Sequence, residues 1–418
     1  MSAEEPKIKV ERVSDARELE RVIDLCSKVF SSYYDSVTHW RQVVELDPGY
    51  RPGQNFAVYA DGRPVANARV TTRRVRIGSA TTAAGGIGDV SCDPCYRGRH
   101  YPSACLQEAI RFMRETGHTL SLLGTGILDF YRRLGWEVAA LRCSLTFPHA
   151  AACAVPAGWS LVPFECRMLD AVMELYDREN ASRTGSVARD RQYWERQLAF
   201  TLMPPLRGPF DFVKESPEGF LVLHDASGKP RGYMRSRVEG DRLIMLEAAA
   251  PDGPAAFALA ALAASRAPQA GRIVAPCPPD SLLAYAAVRD LRGELSIQRT
   301  GKMARIIDLL RLFRDMEPAF AQRLASADQA PAVIWIETEL VGSAGIEWDG
   351  KEARALAKPP AKCPRVSIPQ AGMVTLVTGY RSVHEVLGAV GAVTPESLSL
   401  LEALFPQCYA HMWQLDEF

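Results

Sequence analysis

The 418-residue sequence lacks any run of about 20 apolar residues, the length that spans a bilayer. Its longest near-apolar helical stretch, Ala255 to Ala264, is interrupted by Ser265 and Arg266, so neither a membrane span nor a membrane partner is expected. It also lacks an excess of either charge. Lysine plus arginine and aspartate plus glutamate number 49 each, which excludes a global field drawing the chain to nucleic acid, an anionic membrane or an acidic polymer. A charged ligand must therefore be held by a local cluster. Ten cysteines are too sparse for a disulfide scaffold. Cys92-Asp93-Pro94-Cys95 is the one C-x-x-C, without a second pair or a histidine at zinc spacing, and His384-Glu385 lacks the second histidine of H-E-x-x-H. No metal is expected. Neither G-x-x-x-x-G-K-[ST] nor G-x-S-x-G occurs, which removes the commonest nucleotide-hydrolase and serine-hydrolase readings. Met1 to Arg12 alternates charge with single apolar residues and has no apolar signal core, so a cytoplasmic location is expected.

What is present suits a folded chain of two or three domains: 47% apolar residues against 23% charged. Ser14 stands where it can cap a helix from Asp15 to about Phe30, with Leu19, Val22, Ile23 and Cys26 on one stripe. Phe56 to Tyr59, Pro64 to Val70 and on to Ile77 read as antiparallel strands around a turn at Asp61-Gly62. Next come a strand at Gly86 to Cys92, a helix at Pro102 to Thr116, a strand at Leu120 to Leu123 and a helix at Ile127 to Leu134. A small, proline-flanked, aperiodic stretch from Pro148 to Pro156 reads as a linker and puts a boundary near 150. Beyond it the same order of elements returns, through Gly219 to Leu223, Gly232 to Val238, Arg242 to Ala248, Pro254 to Arg266, Arg272 to Val274 and Ser281 to Val288, which reads as an internal duplication. A third, α+β block begins near Met303. It has strand-like Ala332 to Leu340, Val366 to Ile368 and Met373 to Thr378, with helices at Leu309 to Phe313, Ser382 to Val390 and Pro395 to Phe405.

The most informative segment runs from Asp89 to Leu106, a strand that enters a basic turn and then a helix. Such a turn aims backbone N–H groups and the positive end of a helix dipole at one point, and Arg97 and Arg99 add full charges there. The combination suits a pyrophosphate. About 30 residues on stands Phe130-Tyr131-Arg132-Arg133-Leu134-Gly135-Trp136.

The pairing of Pro94-Cys95-Tyr96-Arg97-Gly98-Arg99 with Phe130-Tyr131-Arg132-Arg133-Leu134-Gly135-Trp136 resembles the GNAT acyltransferases, whose fold wedges acyl-CoA between two adjacent parallel strands that splay apart. The whole chain resembles the enhanced intracellular survival (Eis) family of bacterial N-acetyltransferases, which the start of the third block, Met303 to Asp308, and the terminal Asp416-Glu417-Phe418 also match. The resemblance implies an α/β (α+β) architecture of tandem GNAT folds followed by a sterol-carrier-protein-like α+β domain. Residues 1–150 are then an active acetyl-CoA-binding GNAT domain, 151–300 a degenerate one, and 301–418 the third domain. Degeneracy follows from Pro251-Asp252-Gly253-Pro254, which replaces the basic turn in the second domain, with Tyr285 at the place echoing Tyr131. It further implies acetyl-CoA as co-substrate, an amine acceptor of aminoglycoside, polyamine or lysine type, and a homohexamer.

Acetyl transfer to an amine needs a base for the ammonium, a site for the developing oxyanion and an acid for the leaving thiolate. In this resemblance Tyr131 is the acid, since a phenol of pKa near 10 stays protonated at neutral pH, and the α-carboxylate of Phe418 is the base. Backbone N–H groups along Val90-Ser91-Cys92 serve the thioester oxygen, and Arg97, Gly98, Arg99, His100, Tyr101 and Ser103 serve the pyrophosphate. Asp35 and Glu417 are candidates to attract the ammonium. One departure matters: His100 and Pro102 stand where the family's loop has small residues, and proline has no N–H to give. Pro102 is expected at the first helical position, where that loss is small. The departure also leaves open a non-catalytic GNAT-derived scaffold that binds CoA or a small ligand.

Overall fold

The computed structural model describes residues 9–31, 37–149, 155–202, 217–266, 271–299, 301–388 and 393–418. The first unit is built from β1 (Val10–Val13), α1 (Ala16–Val29), α2 (Val37–Leu46), β2 (Asn55–Ala60), β3 (Arg63–Ile77), β4 (Ala80–Cys92), α3 (Tyr101–Glu115), β5 (Leu120–Gly124), α4 (Leu128–Arg132) and β6 (Glu137–Val138). The helix cap is Asp15 rather than Ser14, its carboxylate accepting from the amides of Arg17 and Glu18. One carboxylate oxygen, Asp15 Oδ1, accepts from both open amides.

The second unit has β7 (Leu141–Pro148), β8 (Ser160–Pro163), α5 (Leu169–Asn180), α6 (Arg191–Thr201), β9 (Phe220–His224), β10 (Pro230–Glu239), β11 (Arg242–Ala249), α7 (Gly253–Arg266), β12 (Arg272–Pro276), α8 (Leu282–Asp290) and β13 (Glu294–Arg299). The third begins with β14 (Lys302–Ile306) and α9 (Leu309–Ser326). It continues through β15 (Ala332–Thr338), β16 (Gly342–Trp348), β17 (Ala353–Leu356), β18 (Arg365–Ser367), α10 (Gln370–Val377), α11 (Val383–Leu387) and α12 (Pro395–Leu404). The segment from Met373 to Thr378, expected as a strand, lies in α10 and its cap. All six of its residues are buried, the two threonines included, so the run carries no period that separates helix from strand.

The first two sheets repeat one another. Each has seven strands, in the orders β1-β2-β3-β4-β5-β14-β6 and β13-β7-β12-β11-β10-β9-β8. Each contains one parallel pair joined by a helix, β4–β5 through α3 and β11–β12 through α7. Two strands cross the expected boundaries near 150 and 300. β7 lies in the second sheet between β12 and β13, while β14, which opens the third block, lies in the first sheet between β5 and β6. The third unit has a four-stranded sheet, β17-β16-β15-β18. Its core is continuous with one face of the first sheet: Val75, Ile77, Ala84 and Leu120 pack in one cluster with Phe313, Phe320 and Phe405.

The crossing makes the first unit dependent on residues 302–306, because β5 has no other partner on that side. A fragment of residues 1–150 expressed alone is expected to lack a cooperative thermal transition and to aggregate through the open edge of β5. A soluble fragment with a cooperative melt contradicts this.

Candidate active site

The site begins where β4 and β5 part. Their parallel pairing covers only Ala84, Gly85 and Gly86 against Leu120, Ser121 and Leu122, and beyond Gly86 the strand β4 runs on to Cys92 paired with β3 alone. A bulge interrupts that ladder: Arg69 pairs with Gly88 but Asn67 pairs with Ser91, and Asp89 between them has φ 55. The extra residue turns the backbone at Asp89 and Val90 out of the regular ladder. Ser91 is buried with its hydroxyl 3.6 Å from the Cys26 sulfur, and Cys92 is half-buried at the strand end.

From Cys92 the chain passes through a short turn to α3. Arg97, Gly98, Arg99 and His100 are exposed, Tyr101 is buried and Ser103 half-buried. Gly98 has φ 80, and a Cβ built on it meets nothing within 4 Å, so the turn is open on that side. Arg99 lies over the Tyr96 ring at 5.2 Å. Tyr101 is the first helical residue and Pro102 the second, one place later than expected, with His100 before them in the left-handed region at φ 59. Left-handed geometry is costly for a residue with a Cβ, and histidine is one of the types that adopts it. Among the described residues the amides of Gly98, Arg99, His100, Tyr101 and Ser103 have no backbone acceptor. Open N–H groups, two exposed guanidinium heads and a helix start suit this turn to an anion, and Pro102 removes one donor from it.

The corresponding place in the second unit is filled differently. Asp252 caps α7 through the Ala255 amide at 2.9 Å and pairs with Arg231 at 2.8 Å, so a carboxylate occupies the position an anion would need. Tyr285 is exposed on α8 beside Arg289.

Tyr131 sits on α4, the helix that follows β5, buried between Phe130 and Trp136, whose rings meet it edge-on at 4.9 and 6.1 Å. Burial pushes its phenol up to about 12. Its hydroxyl has no hydrogen-bond partner among the described residues. Gly135 just beyond has φ 89, and a Cβ there would stand 2.9 Å from Leu340 and 3.0 Å from Gln370, which donates to the Gly135 carbonyl. The glycine of the Gly-Trp pair thus admits side chains of the third unit.

The last residues of the sequence come from the third unit and lie against β4. Successive β4 residues face opposite sides. A Cβ on Gly85 would meet Met113 of α3, whereas one on Gly86 would stand 2.5 Å from the Phe418 ring, and one on Gly88 3.5 Å from the Phe418 carboxyl carbon. The floor beneath is unusual: Arg69, Thr71 and Arg73 of β3 pair with Gly88, Gly86 and Ala84 and are buried. Arg69 is ion-paired to Asp89 and hydrogen-bonded to Thr71. Arg73 grips Asp47 through two bonds of 2.8 and 2.9 Å and lies 5.8 Å from the Phe418 ring. Against the burial that opposes ionisation, the Arg73 charge and its hydrogen bonds hold Asp47 below the usual carboxylate range.

Glu417 is ion-paired to Lys302 at 2.7 Å. Asp416 is wholly buried, with Arg189 donating from Nε at 3.0 Å and Nη2 at 2.7 Å, Gln197 at 2.8 Å and Tyr193 at 3.0 Å. Arg189 also pairs with the buried Glu247, and stacks on Tyr176 and Trp194 at 4.0 and 4.5 Å. Burial pushes Asp416 up despite Arg189, while Glu247 is held low by Arg189 and Arg235 against its own burial. The Phe418 carboxylate itself has no ion pair among the described residues. Asp35 lies outside the described residues.

The sequence reading missed Gly86, Gly88, Arg69, Arg73, Asp416 and Arg189. Signals were there: three glycines within Gly85 to Gly88 mark close approach in a strand, and arginines at alternate positions of an apolar strand require buried partners.

The turn with its open amides and exposed arginines lies at the end of β4, beside the place where two parallel strands separate. Residues 11–139 match the model of the acetyltransferase (GNAT) domain. No curated protein matches the sequence. Among solved structures, a protein of unknown function from Enterococcus faecalis V583, given as a probable N-acyltransferase, aligns at TM-score 0.79 and 17% identity over 99% of this chain and all of that one. A GCN5-related N-acetyltransferase from Kribbella flavida aligns at 0.74 and 18% identity over 99% of this chain and 98% of its own. Eis1 from Mycobacterium abscessus aligns at 0.67 and 17% over 98% of this chain and 100% of its own. At these identities the likeness is one of fold, and it runs through all three units. Among the described residues no helix is long and apolar enough to cross a membrane, and no three His, Cys, Asp or Glu side chains gather as a metal site.

Gly86→Ala is expected to unseat Phe418 by forcing the ring off β4, lowering stability by about 1–3 kcal/mol in denaturant titration, the usual cost of overpacking. An unchanged midpoint, with the terminal residue still protected from hydrogen exchange, contradicts the contact.

Proposed function

We propose that the chain is an acetyl-CoA-dependent N-acetyltransferase that moves an acetyl group directly to a primary amine of aminoglycoside, polyamine or lysine type. The observation that carries this reading is the docking of Phe418 against Gly86 and Gly88, where β4 and β5 part. Acetyl-CoA, when bound, supplies a thioester carbonyl activated toward amines. The fit of the site to it rests on the open amides and exposed arginines of the turn from Arg97 to Ser103. Arg97 and Arg99 hold the pyrophosphate charge, and the amides from Gly98 to Ser103, Pro102 excepted, complete the cradle. His100 adds its imidazole at the same turn.

The Phe418 carboxylate takes a proton from the acceptor ammonium, directly or through a water, and so frees the nitrogen lone pair. An ordinary α-carboxyl has a pKa of about 3.5 and is ionised at neutral pH. Backbone N–H groups at Val90, Ser91 and Cys92 receive the charge that develops on the thioester oxygen. Tyr131 gives its proton to the leaving sulfur, and with its pKa near 12 it remains a phenol across the working pH range. Glu417, held by Lys302, and Asp35 are the acidic residues we place nearest the acceptor. We read residues 1–150, 151–300 and 301–418 as active GNAT, degenerate GNAT and sterol-carrier-protein-like domains of an Eis-type protein, cytoplasmic and homohexameric. The whole-length fold likeness to Eis1 supports that division.

Tyr131→Phe is expected to lower kcat by about 100-fold, the usual scale of a lost general acid, with acetyl-CoA affinity unchanged. Removal of Phe418 is expected to do the same. Full steady-state activity in either variant removes that residue from the mechanism. Arg97→Ala is expected to weaken CoA binding in calorimetry by about tenfold, as for a charge-assisted hydrogen bond, and unaltered affinity takes Arg97 out of the pyrophosphate site. His100 in left-handed geometry and the missing donor at Pro102 favour a second reading, a scaffold that binds CoA without transfer. Retained CoA heat with no transfer to any amine in a broad panel selects it.

A further inference from the structure

The second unit has a carboxylate where its own phosphate cradle would be, yet it supplies most of the polar contacts to the end of the chain. We propose that this unit serves the first as a clamp on the C-terminal tail, with Arg189, acting through Asp416, as the positioning residue for the Phe418 carboxylate. The proposal rests on the reading of that carboxylate as the base.

The first consideration is geometry. The tail is gripped at Asp416, two residues before its end, and two residues reach only about 7 Å when extended, so fixing Asp416 confines the carboxylate to a small volume. Every oxygen of that residue is engaged: the carboxylate by Arg189, Tyr193 and Gln197, and the main-chain carbonyl by Arg73 Nε at 3.2 Å. Gln197 also holds the Leu415 carbonyl at 3.1 Å. The grip joins two units, because Arg73 comes from β3 while Tyr193 and Gln197 come from α6 and Arg189 from the segment before it. That segment is itself stitched to β3, with Arg76 donating to the Ser186 carbonyl at 2.8 Å and Ala188 donating to the Arg74 carbonyl at 2.7 Å.

The second consideration is charge. The cluster contains the cations Arg73, Arg189 and Arg235 and the anions Asp47, Glu247 and Asp416, so it is neutral as a whole. A neutral clamp anchors the tail without drawing on the terminal carboxylate, which makes no ion pair of its own among the described residues. Had an arginine gripped that carboxylate directly, the bond would fix it in place but weaken it as a proton acceptor. Here the two duties fall on different groups: Asp416 is held, and Phe418 stays free to take a proton. A buried cluster of this kind contributes little net stability compared with apolar packing, which fits a role in placement.

The test uses the full-length protein and reads tail docking separately from transfer. A carboxypeptidase that removes C-terminal aromatic residues is applied to the native protein, and release of Phe418 is timed by mass spectrometry. Tyr193→Phe, which deletes one hydrogen bond to Asp416 and keeps the ring, is expected to speed release by about tenfold, and Asp416→Asn by more. Both are expected to lower kcat by similar factors with KM for acetyl-CoA within about twofold, and in a chain lacking Phe418 neither is expected to lower kcat further, since coupled sites are not additive. Trimming no faster than in the unaltered protein, in variants whose circular dichroism is native, overturns the clamp. So does a kcat loss that persists undiminished without Phe418. Should Asp416→Asn fail to fold, Tyr193→Phe decides. If removing Phe418 leaves kcat intact, the reading of the base fails, and the trimming rates still decide whether the second unit holds the tail.

Discussion

The structure depends on one buried carboxylate. Asp416 comes from the end of the third unit, its side chain is bound by Arg189, Tyr193 and Gln197 of the second, and its carbonyl by Arg73 of the first. Residues of all three units meet on this one. Because charges buried away from water must be matched, the arginines beneath it recruit Asp47, Asp89 and Glu247 in turn, and the polar layer between the sheets follows from that demand. The geometry of the last two residues follows as well.

The crossing of the expected boundaries by β7 and β14 acts in the same direction. Each of the first two sheets is completed by a strand that the chain order assigns elsewhere, so the units cannot be separated without opening an edge. Continuous packing from Val75 and Leu120 to Phe313 and Phe405 binds the third unit to the first. A carboxylate delivered over a gap of hundreds of residues can be placed to a fraction of an ångström only on a rigid body, and these two features supply it.

Much of the first unit was legible. The basic turn, the helix after it and the Phe-Tyr-x-x-x-Gly-Trp segment depend on local rules, and the elements stand where those rules put them, within a residue or so. Asp15 in place of Ser14 and Tyr101 ahead of Pro102 are shifts of one position, the usual uncertainty of a helix start. α10 was misread because a run of small and apolar residues buried all round has no period. The strand crossing was illegible for a different reason: β7 and β14 are ordinary strands, and nothing local says which sheet receives them. Arg69, Arg73 and Arg189 were passed over because their partners lie up to 343 residues away in sequence.

The central claim is that Tyr131 and the Phe418 carboxylate serve one thioester. It is tested most directly by a crystal structure with CoA and an amine acceptor bound. The account predicts the sulfur within hydrogen-bond reach of the Tyr131 hydroxyl and the acceptor nitrogen within about 3 Å of the Phe418 carboxylate or of a water bound to it. A pantetheine arm that leaves the gap between β4 and β5 empty, or an acceptor remote from Phe418, contradicts it.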